Sequence, residues 1–264
     1  MFKIKDYVMV KDLEEAYQLN QKRSGVILGG TCWLKMGKKQ IGTAIDLSGL
    51  GLNTIEENEE EFQIGCMTTL RDLELHSGLN EYFKGAIKES VKHIVGVQFR
   101  NCATIGGSIY ARFGFSDILT CLLALDSYVE LYNKGILPLH EFVTMPYDND
   151  VLVRIIIKKD GRDVVYQSKR ASATDIPILA CAVAKKDNTF YVSVGARPKR
   201  ALLQTVECTY TSSEEDKISD LANELCKNLE FDSNMRGSKE YRKHLATVFV
   251  KRGILALLGG NYTC

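Results

Sequence analysis

A pair of glycines occurs twice in this chain beside hydroxyl residues, in LGGTCWLK at residues 28–35 and in TIGGS at residues 104–108. Both segments follow β-rich sequence, so we expect each pair at the end of an extended run. Paired glycines have no Cβ atoms to hold a ligand away, and successive backbone N–H groups can converge on diphosphate oxygens. Thr31, Thr104 and Ser108 could add hydroxyl donors. Together, the two segments predict a diphosphate-binding site.

Either segment alone is weak evidence, because a glycine pair after a strand is more often a turn or a close packing point. Neither segment is a Walker P-loop, since no GxxxxGK[ST] pattern follows, and neither has the GxGxxG spacing of a Rossmann fingerprint. The phosphate interpretation therefore depends on both segments acting together.

Composition excludes several classes of protein. With 264 residues, 45% of them hydrophobic, the chain can bury a substantial core. Lys and Arg number 34 against 33 Asp and Glu, which leaves no global field for attracting a polyanion such as nucleic acid. The amino terminus carries charges among its apolar residues, and the run ILTCLLAL stops at Asp126, so we expect neither a signal peptide nor a membrane span. The expected location is the cytoplasm.

The eight cysteines and four histidines are dispersed along the chain without metal-ligand spacing. Most of the cysteines lie in apolar segments, where cysteine acts as a small hydrophobe. We therefore expect reduced structural thiols and no metal site.

The mixed order of predicted strands and helices indicates an α+β or α/β arrangement. A short strand, a helix capped by Asp12 with Glu15 three positions on, and the strand GVIL open the sequence. TAIDL predicts a further strand, and LNTIEE with EFQIGCM predicts a hairpin. Thr69 is expected to cap the next helix. Another helix is expected from Asn80 to about His93, and the run Ile118 to Leu125 predicts a buried helix.

A polar stretch with two prolines, LPLHEFVTMPYDND, separates the strands SYVELY and VLVRIIIK, and we place a boundary soon after, between domains 1–160 and 161–264. DVVYQSK, IPILACAVAKK and FYVSVGA predict an antiparallel sheet, with a turn at Asp187. Two helices follow. The second has apolar residues at helical spacing: Tyr241, Leu245, Val248 and Phe249. A cluster of four basic residues is interpreted as a solvated helix face rather than an anion site: Arg236, Lys239, Arg242 and Lys243.

VILGGTCWLKMG and VQFRNCATIGGSIY resemble the first and second flavin loops of the FAD-binding, or medium, subunits and domains of the molybdenum hydroxylases, such as xanthine dehydrogenase and carbon monoxide dehydrogenase. The resemblance continues through FQIGCMTTLRDLE, through Asp117 with LLALDSYVEL, and into MRGSKEYRKHLATVFVKR. It covers nearly the whole chain. It implies a two-lobed FAD-binding domain of the vanillyl-alcohol-oxidase-like type, followed by a smaller α+β domain of antiparallel sheet and helices.

Carried over position by position, the resemblance implies a set of cofactor contacts in two loops and at two further positions. The first loop comprises Leu28, Gly29, Gly30, Thr31, Cys32 and Trp33. The second comprises Thr104, Gly106, Gly107 and Ser108. Asp117 matches the acidic residue that contacts the cofactor in the family, and Lys169 is the candidate basic contact.

The chain departs from the family pattern in three places. Ser108 stands where the family usually has Asn, and it reaches less far. ARFGF, residues 111–115, replaces commonly small residues, so Arg112, Phe113 and Phe115 could reshape the surroundings of the flavin. Ordinary packing of the aromatic rings is the more common alternative. Lys169 and Arg170 precede Asp175 at a slightly altered spacing.

The resemblance also implies a division of labour between subunits. A large subunit oxidises substrate at molybdopterin, a small subunit carries 2Fe-2S clusters, and FAD on this chain reduces NAD or another acceptor. This chain then needs no catalytic acid or base of its own. Two alternatives stay open: a stand-alone flavin oxidoreductase, although no covalent-flavin histidine motif is found, and a scaffold subunit that has lost FAD. We expect Gly30→Val or Gly107→Val to abolish FAD binding with folding largely intact.

Overall fold

The structure is a computed structural model that describes residues 2–22 and 24–259. Its strands are, in chain order, β1 (Lys3–Met9), β2 (Gly25–Leu28), β3 (Gln40–Asp46), β4 (Ile55–Glu57), β5 (Glu61–Gly65), β6 (Ser127–Leu131), β7 (Gly135–Pro138), β8 (Leu152–Lys158), β9 (Asp163–Lys169), β10 (Leu179–Lys186), β11 (Thr189–Gly195) and β12 (Leu202–Glu207). Its α-helices are α1 (Leu13–Asn20), α2 (Leu70–Leu75), α3 (Ser77–Tyr82), α4 (Ala86–Val91), α5 (Val97–Arg100), α6 (Ile105–Ala111), α7 (Asp117–Ala124), α8 (Leu139–Thr144), α9 (Glu215–Lys227) and α10 (Lys239–Leu257).

The chain divides into two compact units, and both are discontinuous in sequence. The first unit takes the chain up to Leu73 together with Val97–Ala111 and Ser127–Lys158. The second takes Glu74–Gly96, Arg112–Asp126 and the chain from Lys159 onward. The domain boundary near residue 160 stays a prediction.

A three-stranded parallel sheet in the first unit delivers the first glycine pair. Its strand order is β1-β3-β2, and α1 connects β1 to β2. The Asp12 side chain accepts a hydrogen bond from the Glu15 N–H at 2.8 Å, which confirms the predicted cap of α1. The last paired residue of β2 is Leu28, opposite Asp46, so Gly29 and Gly30 lie where the strand ends.

The first unit also contains a five-stranded antiparallel sheet of order β4-β5-β8-β6-β7. The predicted hairpin is confirmed as β4 and β5, with Glu57 opposite Phe62. The central strand β8 buries five of the seven residues in LVRIIIK, as its apolar sequence requires. Thr69 caps α2, because its hydroxyl accepts a hydrogen bond from the Asp72 N–H.

An antiparallel sheet of order β12-β11-β10-β9 organises the second unit. Side chains alternate between its two faces. Cys181 and Val183 of β10 lie in a core with α9 and α10, whereas α7 packs on the opposite face. A Cβ on Gly195 would lie 2.0 Å from the Thr120 hydroxyl, so glycine permits the close approach of α7 to β11. The predicted antiparallel sheet and buried helix are confirmed.

The helix predicted from Asn80 to about His93 is wrong in its extent. The structure has two short helices there, α3 and α4, separated by Lys84 and Gly85. Both separating residues have left-handed backbone, with φ of 49° and 81°. A glycine adopts this conformation at little cost, and it ends the helical hydrogen-bond ladder.

Three further details differ from the sequence-based expectations or go beyond them. The proline-bearing stretch contains α8, which begins at Leu139 directly after Pro138, a residue that a helix tolerates at its start. The strand β12 lacks strict apolar alternation and was not predicted. In α10 the buried face is shifted, because Tyr241 is exposed and Arg242 is buried.

Ser238 caps α10 as predicted, with its hydroxyl accepting from the Tyr241 N–H at 3.2 Å. None of the helices in residues 2–22 and 24–259 combines the length and the apolar character needed to cross a membrane.

Candidate functional site

The two glycine pairs lie against each other within the first unit. A Cβ placed on Gly30 would lie 1.8 Å from the carbonyl oxygen of Cys102, and one on Gly29 would lie 2.8 Å from the Thr104 hydroxyl oxygen and 3.7 Å from the Gly107 Cα. No side chain fits between backbones this close. The sequence interpretation required the two segments to act together, and the structure brings them together.

The sequence suggested that the second glycine pair lies at the end of an extended run. In the structure it does not. Gly106 and Gly107 lie in the first turn of the short helix α6, and Thr104 before it forms only an isolated bridge with Thr69. A Cβ on Gly106 would lie 2.5 Å from the Cys66 carbonyl oxygen, so close packing on that neighbouring backbone selects glycine here. The β-branched residues that suggested a strand are overridden by this tertiary contact.

The backbone N–H groups of the second segment are already engaged within the protein. Ile105 donates to the Thr68 carbonyl and Gly106 to the Cys66 carbonyl, each at 2.9 Å. Gly107 donates to the Thr104 hydroxyl at 3.2 Å, and Ser108 donates to the Thr104 carbonyl. This segment therefore leaves no N–H group of residues 105–108 unbonded. Gly106 and Gly107 instead form a surface without side chains, the glycine surface.

The first loop differs from the second segment because several of its backbone N–H groups are unbonded. Within the described part of the chain, the N–H groups of Gly30, Thr31 and Cys32 donate to no acceptor, and the Thr31 hydroxyl is also unbonded. Thr31 has left-handed backbone with φ of 56°, a conformation found where successive N–H groups turn toward one concavity. Free donors beside a glycine surface fit the diphosphate of a dinucleotide.

Cys32 and Trp33 complete the first loop. The Cys32 thiol donates to the Gly30 carbonyl at 3.4 Å, and partial burial raises the pKa of Cys32. Trp33 is the only tryptophan of the chain and is 43% exposed. A partly exposed aromatic ring beside unbonded backbone donors can pack on a bound ligand.

Asp117 lies in the second unit, at the first position of α7. Its Oδ1 accepts hydrogen bonds from the Tyr166 hydroxyl and from Arg170 Nη2, both at 2.5 Å. Burial raises the pKa of the Asp117 carboxyl, and the Arg170 charge and the two hydrogen bonds act against that rise.

Lys169 does not share this environment. It is exposed at the end of β9, whereas Arg170 carries the basic group that meets Asp117. Sequence reasoning missed the roles of Arg170 and Tyr166. Strand alternation was the available signal, because residues 166 and 170 lie an even number of positions apart and share a face, and residue 169 does not.

Residues 112–115 of the ARFGF segment lie in the second unit. Phe113 and Phe115 stack with ring centroids 5.1 Å apart and planes 7° apart. Arg112 is 2% exposed and has left-handed backbone with φ of 48°. A Cβ on Gly114 would lie 2.9 Å from the Lys199 carbonyl oxygen.

The interpretation of the carboxyl-terminal basic cluster as a solvated face is wrong for Arg242. This side chain is 1% exposed and donates to the carbonyl oxygens of Ile178 and Ala196 and to Asn234 Oδ1. Burial lowers the pKa of Arg242. Hydrogen bonds to three oxygen acceptors offset the loss of hydration of the buried guanidinium. Arg242 is therefore a structural clamp that joins Ile178, Ala196 and Asn234.

None of the cysteines in the described residues forms a disulfide bond. Burial raises the pKa of Cys66 and of Cys121 to about 12. Among residues 2–22 and 24–259, no three His, Cys, Asp or Glu side chains gather as metal ligands.

Comparison with protein families identifies residues 1–159 as an FAD binding domain in molybdopterin dehydrogenase. The chain belongs to this family. Residues 164–257 match the CO dehydrogenase flavoprotein C-terminal domain. The chain is thus an FAD-binding subunit of an oxidoreductase, and both matches agree with the FAD-domain fold and smaller α+β domain expected from the sequence.

Similar proteins cover more than nine tenths of the chain. The uncharacterized protein YgfM of Escherichia coli (strain K12) is 25% identical over 258 residues, covering 94% of each chain. The glyceraldehyde dehydrogenase medium chain of Sulfolobus acidocaldarius is 23% identical over 270 residues, covering 93% of this chain and 95% of its own. Among solved structures, carbon monoxide dehydrogenase from Hydrogenophaga pseudoflava has a TM-score of 0.81 at 22% identity, covering 94% of this chain and 95% of that chain, which shows the same fold.

Proposed function

We propose that this chain binds one FAD with the backbone donors of Gly30, Thr31 and Cys32 and the glycine surface of Gly106 and Gly107. The observation that carries the proposal is the contact between Gly29 and Gly30 on one side and residues 102–107 on the other, beside N–H groups that the protein leaves unbonded. A pyrophosphate accepts hydrogen bonds from such N–H groups, and its charge is best held where no side chain intervenes. Leu28 and Gly29 bring these donors to the end of β2.

Other residues of the proposed site act by position. Trp33 offers an aromatic surface and Ser108 lines the second segment, both in the first unit. Asp117 lies in the second unit and stays a predicted cofactor contact that the family resemblance implies. Lys169 stays a weaker candidate, because it is exposed and makes no contact with Asp117. Proton transfer is not assigned to any residue of this chain.

We further propose that the chain is the electron-transfer subunit of a heteromeric molybdenum hydroxylase. A bound flavin exchanges electrons singly or in pairs and so connects one-electron carriers with two-electron acceptors. Partners are a molybdopterin-binding large subunit and a small subunit with 2Fe-2S clusters, and the acceptor is NAD or another oxidant. Two relatives support this proposal. One is the medium chain of a glyceraldehyde dehydrogenase, and the other is a carbon monoxide dehydrogenase with a molybdenum cofactor, whose Mo-pyranopterin moiety is lacking in the solved structure.

FAD titration of the purified full-length chain tests the cofactor assignment. We expect saturable binding at one equivalent, with flavin absorbance that stays with the protein through gel filtration. Because the cofactor is noncovalent, the chain is first stripped of flavin and then reconstituted with FAD or with FMN as a control lacking the diphosphate. Equal affinity for FAD and FMN would contradict a diphosphate site on the first loop.

The electron path is tested on the complex that co-purifies with the chain. We expect substrate to reduce the flavin only when the partner subunits are present, and mass spectrometry to identify a large and a small partner. Reduction of the flavin by substrate in the isolated chain would favour a stand-alone flavin oxidoreductase.

A scaffold subunit without FAD is the second candidate. It is favoured by the four engaged N–H groups of residues 105–108, which leave the second segment fewer donors than expected. The same titration separates the two, because a scaffold subunit would show no saturable FAD binding.

A further inference from the structure

Two cysteines lie beside the contact between the glycine segments, and both belong to the first unit. Cys32 is part of the first loop, and Cys102 precedes the second segment. Among residues 2–22 and 24–259 they are the only cysteines that are not buried, because Cys102 is exposed and Cys32 is partly exposed. A small oxidant in solution can therefore reach these two thiols more readily than the buried ones.

Gly30 brings the two cysteines close to each other. A Cβ on Gly30 would lie 1.8 Å from the Cys102 carbonyl oxygen, and the Cys32 thiol lies 3.4 Å from the carbonyl oxygen of the same glycine. The pKa of Cys32 is raised mainly by burial and further by the Cys102 thiolate, whereas the Lys35 charge acts against the rise. A like charge perturbs a thiol at short range, so the direction of this pKa shift agrees with the geometry.

The first loop can move without losing hydrogen bonds from its own backbone donors. The N–H groups of Gly30, Thr31 and Cys32 donate to no acceptor among the described residues. A disulfide holds its two Cβ atoms about 3.5–4.5 Å apart, so its formation would draw Cys32 away from the Gly30 carbonyl and toward Cys102. The same N–H groups would then turn away from the concavity that the left-handed backbone of Thr31 forms.

We infer that Cys32 and Cys102 form a reversible disulfide when hydrogen peroxide oxidises the chain, and that this disulfide closes the diphosphate site of the first loop. The effect on FAD rests on the proposed function, whereas the disulfide itself does not. Thiol reductants open an exposed disulfide readily, so the closure is reversible.

The oxidation takes place in two steps whose atoms and electrons balance. The exposed Cys102 thiolate attacks one oxygen of hydrogen peroxide, which breaks the O–O bond and gives Cys102 sulfenic acid and hydroxide. The Cys32 thiolate then attacks the sulfenic sulfur, so that the S–S bond forms, the S–O bond breaks and a second hydroxide leaves. The protons that the two thiols lose convert both hydroxides into water. The two sulfurs are oxidised by one electron pair, which the peroxide takes up.

Peptide mapping of the full-length chain under non-reducing conditions tests the disulfide. The reduced chain is treated with hydrogen peroxide and its remaining thiols are blocked with N-ethylmaleimide. We expect a cross-linked peptide pair that joins Cys32 to Cys102 and that dithiothreitol releases. In Cys32→Ser the reaction should stop at Cys102 sulfenic acid, which dimedone traps. A wild-type Cys102 that goes no further than sulfenic acid would overturn the inference.

FAD titrations of the same samples measure the closure of the site. We expect the affinity of the wild type for FAD to fall by about tenfold or more after peroxide and to return after dithiothreitol. Cys102→Ser is the matched control, because it cannot form the cross-link and should have the same affinity before and after peroxide. This variant also shows any effect of peroxide on other residues, such as the exposed Met36.

Two results of the titrations would contradict the closure of the site while leaving the proposed function intact. One is a cross-link that leaves the affinity for FAD unchanged, and the other is an equal loss of affinity in Cys102→Ser. A reduced wild-type chain that binds no FAD would instead contradict the proposed function. Peptide mapping needs no flavin, so it would still decide whether Cys32 and Cys102 form the disulfide.

Discussion

The backbone of Gly30 touches the carbonyl oxygen of Cys102, which joins the first glycine pair to the segment that precedes the second. A methyl group at position 30 would lie 1.8 Å from that oxygen and 2.7 Å from the Ala103 Cα, well inside the contact distance of real Cβ atoms. The glycine is thus required by packing before any ligand is considered. The sequence-based expectation that Gly30→Val leaves folding intact is corrected by this contact.

Gly30→Ala should destabilise the chain by about 3 kcal/mol, because backbone atoms cannot move aside as a flexible side chain can. Chemical denaturation measures the loss. Gly49→Ala is the control in the same unit, since its Cβ would meet nothing closer than 3.5 Å. Equal stability of the Gly30 variant and the control would show that the two segments separate easily.

Gly107→Ala should lower the affinity for FAD while leaving the stability of the fold nearly unchanged. Its Cβ would approach only the Thr104 hydroxyl oxygen, at 3.1 Å, and alanine is a better helix former than glycine, so stability should stay within about 1 kcal/mol of the wild type. The added methyl covers the glycine surface proposed for the cofactor, and FAD affinity should fall by about tenfold or more. Isothermal titration with FAD provides the measurement. An unchanged dissociation constant would count against this surface.

Trp33 should report FAD binding directly. It is the only tryptophan and it lies in the first loop, so all tryptophan fluorescence of the chain comes from this position. A flavin bound nearby absorbs in the emission range of tryptophan and should quench it in proportion to occupancy. Trp33→Phe should abolish the signal while flavin absorbance still shows binding. Saturable FAD binding without quenching in the wild type would place the flavin away from this loop.

Arg242→Met should destabilise the chain by about 3 kcal/mol, because it leaves the Ile178 and Ala196 carbonyls without their buried donor. The urea transition of the full chain measures this. Lys243→Met is the adjacent control, since Lys243 is exposed and should change stability by no more than about 0.5 kcal/mol. Equal stability of the two variants would contradict the role of Arg242 as a structural clamp.

Thiol labelling of the native chain at about pH 8 should be strongly selective. Cys102 is exposed and should react first, whereas Cys66 and Cys121, with pKa values raised to about 12 by burial, have on the order of one thiolate in ten thousand. Peptide mapping by mass spectrometry distinguishes the positions, including Cys264, which lies outside the described residues. Rapid native labelling of Cys121 would show that α7 opens readily.

Local sequence patterns predicted the strands and helices well wherever a residue's conformation depends on its neighbours in the chain. Caps at Asp12, Thr69 and Ser238 and the β4–β5 hairpin follow from short-range hydrogen bonding and alternation. The resemblance also indicated the family, because glycine pairs with their flanking residues recur in a fixed order along the whole chain. Chain order and spacing are properties that a sequence displays directly.

Tertiary structure decided how the candidate site is arranged. The helix at Gly106 and Gly107, the close contact of Gly30 with Cys102, and the burial of Arg242 all depend on partners far away in sequence. The same holds for Asp117, which meets Arg170 rather than Lys169 because strand β9 turns alternate side chains to opposite faces. A sequence alone determined which residue types were available, whereas the packing of distant backbones determined which N–H groups stay free and which charges are paired.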